Sequence, residues 1–176
     1  MTINVPHRLM QGLLYPAALG AGIAAFLYRI LGTQTPAAAL HDVRNGFAVL
    51  LAGYYSIAFL ANEYAENRYR WRHFYVDLAE VVLITYTFGA LGLFDLSAPA
   101  ASLQGVYACL IVLPLLHLAR HGHISPRLTV LLMARLAIAA VGAAIGYRSD
   151  AFNAVACALL LALTAWYFRT RFSQFT

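Results

Sequence analysis

Lysine is absent from this chain: all 12 of its basic residues are arginine. That excludes chemistry carried on a lysine amine, such as a retinal-type Schiff base. Cysteine is nearly absent too, with only Cys109 and Cys157 and no CxxC, which excludes a membrane carrier of disulfides. There is no glycine-flanked nucleophilic serine of the kind found in intramembrane proteases. Nor is there a paired-aspartate signature like that of the alcohol phosphotransferases that make phospholipids. Charged residues of both signs make up only 11% of the chain, and no long polar tract is left over for a soluble catalytic domain.

What the chain has instead is hydrocarbon. Apolar residues account for 62% of it and fall in long blocks, not in the short amphipathic patterns of a soluble domain. A bilayer core of about 30 Å needs roughly 20 residues of helix. Blocks at about 10–28, 46–62, 74–94, 103–119, 128–147 and 151–168 come near that length. The expected fold is an all-α integral membrane protein, a compact bundle of six transmembrane helices forming a single domain over residues 1–176. The run from Met10 to Leu31 exceeds a typical signal-peptide core and is followed by further apolar blocks, so it is expected to be a retained helix.

Arginine placement sets the orientation. Arg8, Arg68, Arg70, Arg72, Arg120, Arg127, Arg169 and Arg171 fall on one side of the six blocks, and Arg29, Arg44 and Arg148 on the other. The positive-inside rule then puts both termini in the cytoplasm, in the inner (plasma) membrane. The net charge of +5 is explained by this topology, and no basic run points to nucleic acid. Ser125 followed by Pro126 predicts the start of the fifth helix, and Ser149 or Asp150 the cap of the sixth. Pro114 lies inside the fourth.

The third block raises the main question, because it carries Asp77 and Glu80 into the hydrocarbon. On one continuous helix Glu66, Arg70, His73, Asp77 and Glu80 fall within an arc of roughly 80°. Arg68, Trp71, Arg72 and Tyr75 fall on the other side, suited to the headgroup region. An acid facing lipid costs at least a few kcal/mol, so the stripe should face protein. Arg135 is the expected partner. It shares a face with Ala139, Gly142 and Gly146, the last two spaced as GxxxG for close helix approach. Glu80 lies about 9 Å along its helix from Phe74, and Arg135 about 12 Å along the fifth helix from Arg127. The matched depth predicts a Glu80–Arg135 pair. Beyond Glu80 the same face continues through Ile84, Phe88 and Leu91, which predicts a dry centre.

His117 and His121, four apart in HLARH, share a face near the level of Asp77. With His73 and Asp77 they gather imidazole and carboxylate near one membrane surface, a set that could bind a divalent metal, relay protons or form a hydrogen-bonded plug, and no other cofactor is expected. The HxxxH spacing occurs in membrane di-iron oxygenases, but their further histidine-rich boxes are missing here. The leading functional expectation is a channel, transporter or membrane-effector subunit whose cytoplasmic-side charge cluster controls ion or small-solute movement. The alternatives are a metal-dependent membrane enzyme acting on a lipid or quinone-like substrate, and a non-catalytic scaffold. The expected partners are the lipid bilayer and further subunits, as a homo-oligomer or within a membrane complex.

Overall fold

The structure is a computed structural model that describes residues 5–33, 35, 38, 42–63, 69–94, 102–121 and 126–172. All regular structure among these residues is helical, and it forms six long helices. Helix α1 runs from Val5 through a π-helical segment at Met10–Leu14 and continues as Tyr15–Thr33. It is followed by α2 (Val43–Glu63), α3 (Trp71–Ala90), α4 (Leu103–His121), α5 (Pro126–Ala144) and α6 (Asp150–Phe172). A 3-10 turn at Gly146–Arg148 joins the last two.

Three helices are long and apolar enough to cross a membrane, at Val5–Gly32, Val43–Leu60 and Asp150–Arg169. Leu103–Leu116 and Thr129–Ala144 are shorter apolar stretches. Helix α3 has 20 residues, but it carries Arg72, Asp77 and Glu80.

Local chemistry explains several boundaries. Pro126 opens α5, where its missing N–H removes nothing. Ser149 caps α6, its Oγ accepting the Phe152 N–H at 3.3 Å. Helix α3 ends in a Schellman motif. The Leu93 N–H bonds the Phe88 carbonyl at 3.1 Å and the Gly92 N–H bonds the Gly89 carbonyl at 2.8 Å. Gly92 takes the left-handed φ of 73° that this closure needs. The π segment has a cause in Pro16. Proline gives no N–H to the preceding turn and crowds the carbonyl four residues back. The turn before it widens, and the Tyr15 N–H bonds the Met10 carbonyl five residues away.

The helices close into a ring. Helix α1 packs on α3, α3 on α4, α4 on α5, α5 on α6, α6 on α2, and α2 returns to α1. Its middle is filled with large side chains, among them Tyr15, Phe47, Tyr55, Phe88 and Tyr107. As expected, Gly142 and Gly146 are close-approach positions. A β-carbon at Gly142 would sit 2.4 Å from the Tyr107 ring, and one at Gly146 would sit 2.2 Å from Phe152.

The distribution of polarity is inverted relative to a soluble bundle. Large apolar side chains stand exposed on every helix, including Leu31, Val49, Val82, Leu115, Met133 and Leu159. Buried among the helices are Gln11, Asp77, Glu80, Thr87, Arg135 and Asn153. That arrangement suits a solvent of acyl chains, where an outward-facing polar group has nothing to bond.

Candidate functional site

The site builds from the start of α3. Arg70 is extended, with φ −126° and ψ 165°, and the helix begins at Trp71. His73 is drawn into this start, its Nδ1 accepting the Arg70 N–H at 3.0 Å. Its Nε2 also lies 3.3 Å from Arg72 Nε. A neutral imidazole has one acceptor nitrogen, so the two contacts alternate and do not coexist. The single helical stripe expected from Glu66 to Glu80 is thereby shortened. Arg70 is exposed and outside the helix, and Glu66 lies outside the described residues. A stripe projected at a fixed angle per residue takes no account of where the helix begins. The opposite side agrees with expectation: Trp71 and Tyr75 are exposed and meet Phe74 edge-on.

Asp77 and Glu80 turn inward, at 0% and 7% exposure. The Tyr69 hydroxyl donates to Asp77 Oδ2 at 2.7 Å. The edge of the His7 ring lies against Tyr69, with centroids 5.0 Å apart. Glu80 lies within electrostatic range of the hydroxyls of Tyr15 and Tyr55. The Tyr15 hydroxyl donates to the Tyr55 carbonyl at 3.3 Å, and the Tyr55 hydroxyl lies 3.4 Å from Thr87 Oγ1. Past Glu80 the face continues as expected through Ile84, Phe88 and Leu91, all fully buried.

Arg135 is buried at 4% exposure, as its face with Ala139 and Gly142 implied. Its partner differs from the expected one. The guanidinium lies over the Tyr54 ring, 4.3 Å from the centroid. Among the described residues it forms no ion pair with Asp77 or Glu80. Helices α3 and α5 are not ring neighbours, α4 packing between them, and the guanidinium instead reaches across the interior to Tyr54 on α2. Equal depth does not make two residues adjacent. The Tyr54 and Tyr55 rings, edge to face at 5.7 Å, hold the interior on the Arg135 side. The cation is met there by an aromatic face instead of a carboxylate.

Sequence reasoning missed the contribution of α1. His7, Gln11 and Tyr15 are all buried on the face that packs toward α3 and α2. The signal was present as polar side chains at spacings of four, HxxxQxxxY, at the entrance of an otherwise apolar block. Tyr69, the donor to Asp77, sits before α3 and left no periodic signal.

The candidate metal set, His73, Asp77, His117 and His121, lies partly outside the described side chains. Among the described residues no group of three or more His, Cys, Asp or Glu is placed to hold a metal. His117 and His121 lie on α4, with their side chains outside the description. Comparison with models of protein families, with curated proteins and with solved structures finds no match.

Proposed function

We propose that the chain is a six-helix integral protein of the inner (plasma) membrane with both termini cytoplasmic. In this reading the buried acids of α3 control the movement of an ion or small solute, as a channel, transporter or membrane-effector subunit. One observation carries it: Asp77 and Glu80, a turn apart, are withdrawn into a helix ring whose exterior is apolar. Ionisable groups in a span cost at least a few kcal/mol each at the bilayer centre, and an ion or proton path is one of the functions that retain them. Arg135, buried on α5, stacks over the Tyr54 ring on α2.

In this reading the gate lies at the dry face beyond Glu80. Ile84, Phe88 and Leu91 close the interior on that side, so passage requires them to part or to be bypassed at a subunit interface. The lipid-exposed faces leave room for further copies or a partner membrane protein, which the exposed Leu and Val side chains would contact.

The test is flux through reconstituted proteoliposomes under imposed gradients of protons, alkali cations and chloride. Glu80→Gln and Asp77→Asn should each abolish the flux while melting temperature and helix content stay close to wild type. A wild-type protein that moves none of these ions, or variants that conduct like wild type, would end this reading.

A further inference from the structure

Two exposed guanidiniums flank one contact at the rim of the ring. The His7 and Tyr69 rings meet edge to face with centroids 5.0 Å apart, and both residues are buried. Their chain neighbours Arg8 and Arg70 are exposed, so the contact brings two cations to the place where Val5–Leu9 packs on α3. Arg72, also exposed, follows two residues later with its Nε 3.3 Å from His73 Nε2. On α3 the acids Asp77 and Glu80 turn inward, whereas these cations face outward. The surface that continues from them is apolar. On α1, Leu9 and Leu13 are exposed, and Gly12 between them has open space beside it, with nothing within 4 Å of where a β-carbon would stand. On α3 the exposed rings of Trp71 and Tyr75 come first, and Leu78 and Val82 follow. Guanidinium, then aromatic ring, then aliphatic side chain is the order of phosphate, glycerol and acyl chain across a leaflet.

We propose that Arg8, Arg70 and Arg72 bind the headgroup phosphate of an anionic phospholipid, whose acyl chains lie along the exposed apolar faces of α1 and α3. The inference rests on the reading of the chain as membrane-spanning and names a lipid class as its partner. A guanidinium presents N–H donors in a fork that matches two phosphate oxygens, which a point charge does not. A zwitterionic lipid carries an ammonium beside its phosphate and so cancels most of the attraction. A lipid with net negative charge keeps it, and each nearby arginine adds to the preference.

The experiment uses the full chain reconstituted in phosphatidylcholine bilayers, with phosphatidylglycerol as the anionic probe. The chain has two tryptophans, so Trp166→Phe leaves Trp71 beside the site as the only reporter. Its fluorescence is quenched by bromine on the acyl chains of one lipid or the other. Brominated phosphatidylglycerol should act as though enriched about fivefold or more over its share of the bilayer, and saturate at a low share. Brominated phosphatidylcholine should quench only in proportion to its amount. Arg8→Gln, Arg70→Gln and Arg72→Gln together should bring the enrichment close to parity. So should about 1 M sodium chloride on the chain with its arginines intact, a measurement that needs no altered fold at the site. Equal quenching by the two lipids, or an enrichment that survives both the triple substitution and the salt, would overturn the site. Quenching by neither lipid would take Trp71 out of the bilayer and end the membrane reading together with the site. Flux without enrichment would remove this site and leave the transport reading intact, and enrichment without flux would do the reverse.

Discussion

The two ends of the helix ring handle buried polarity in opposite ways. At the end reached by the C-terminus of α3, the contacts are short and mostly neutral. Tyr107 donates to Asn153 Oδ1 at 2.9 Å, and Asn153 returns its amide to the Tyr147 carbonyl at 3.2 Å. Arg29 bonds the Leu91 carbonyl at 3.0 Å and pairs with Asp42, which also accepts the Arg44 N–H at 2.9 Å. These bonds join α1, α2, α3, α4 and α6 where their chains turn. At the other end the groups are ionisable and lie within the helices: Asp77 and Glu80 on α3, and Arg135 on α5 over the Tyr54 ring. The first end uses polar groups to fasten helices together. The second places ionisable side chains in the interior, where their burial carries a cost that a fastening bond between neutral groups does not.

Substitutions should therefore divide by end, stability falling at one and flux at the other. The largest effect is expected for Gly142→Val, whose new side chain would overlap the Tyr107 ring that holds Asn153. The cost should exceed about 3 kcal/mol, leaving little monodisperse protein in size-exclusion chromatography. Asn153→Leu should come next. It strands the Tyr107 hydroxyl and the Tyr147 carbonyl, for a loss of about 2–3 kcal/mol and a clear fall in melting temperature. Flux per folded molecule should be unchanged, and a variant that stays stable but stops conducting would erase the distinction between the ends. The smallest effect belongs to the charged end. A double-mutant cycle between Arg135→Met and Tyr54→Leu should give a coupling of about 1 kcal/mol. The same cycle between Arg135→Met and Glu80→Gln should give less than about 0.5 kcal/mol, and a larger value there would restore the direct pair.

Much of the fold was legible before any coordinates. The apolar blocks fall within a few residues of the helices, Ser149 caps α6, Trp71 and Tyr75 face outward, and Arg135 and the Ile84–Phe88–Leu91 face turn inward. These are local matters of transfer energy and helical period. The site was legible in part. Asp77 and Glu80 were identified as buried acids, but the partner of Arg135 was misassigned and Gln11 was overlooked. The Glu80–Arg135 expectation used depth along two helices, a coordinate that says nothing about lateral order. Gln11 was hidden because its block was counted from Met10 as a uniform apolar helix, whereas the turn before Pro16 is widened and Gln11 is buried in it.

Taken alone, the sequence determined where helices form, which face of each is polar and which residues avoid hydrocarbon, because each of these follows from the side chains of one segment and its solvent. The tertiary structure decided which polar faces meet. It set α4 between α3 and α5, brought α1 against the acids, and gave Arg135 a tyrosine ring. The order of helices around a ring depends on packing summed between segments far apart in the chain, such as Gly142 on Tyr107 or Gly22 on Phe88. No pattern within a single helix contains that sum.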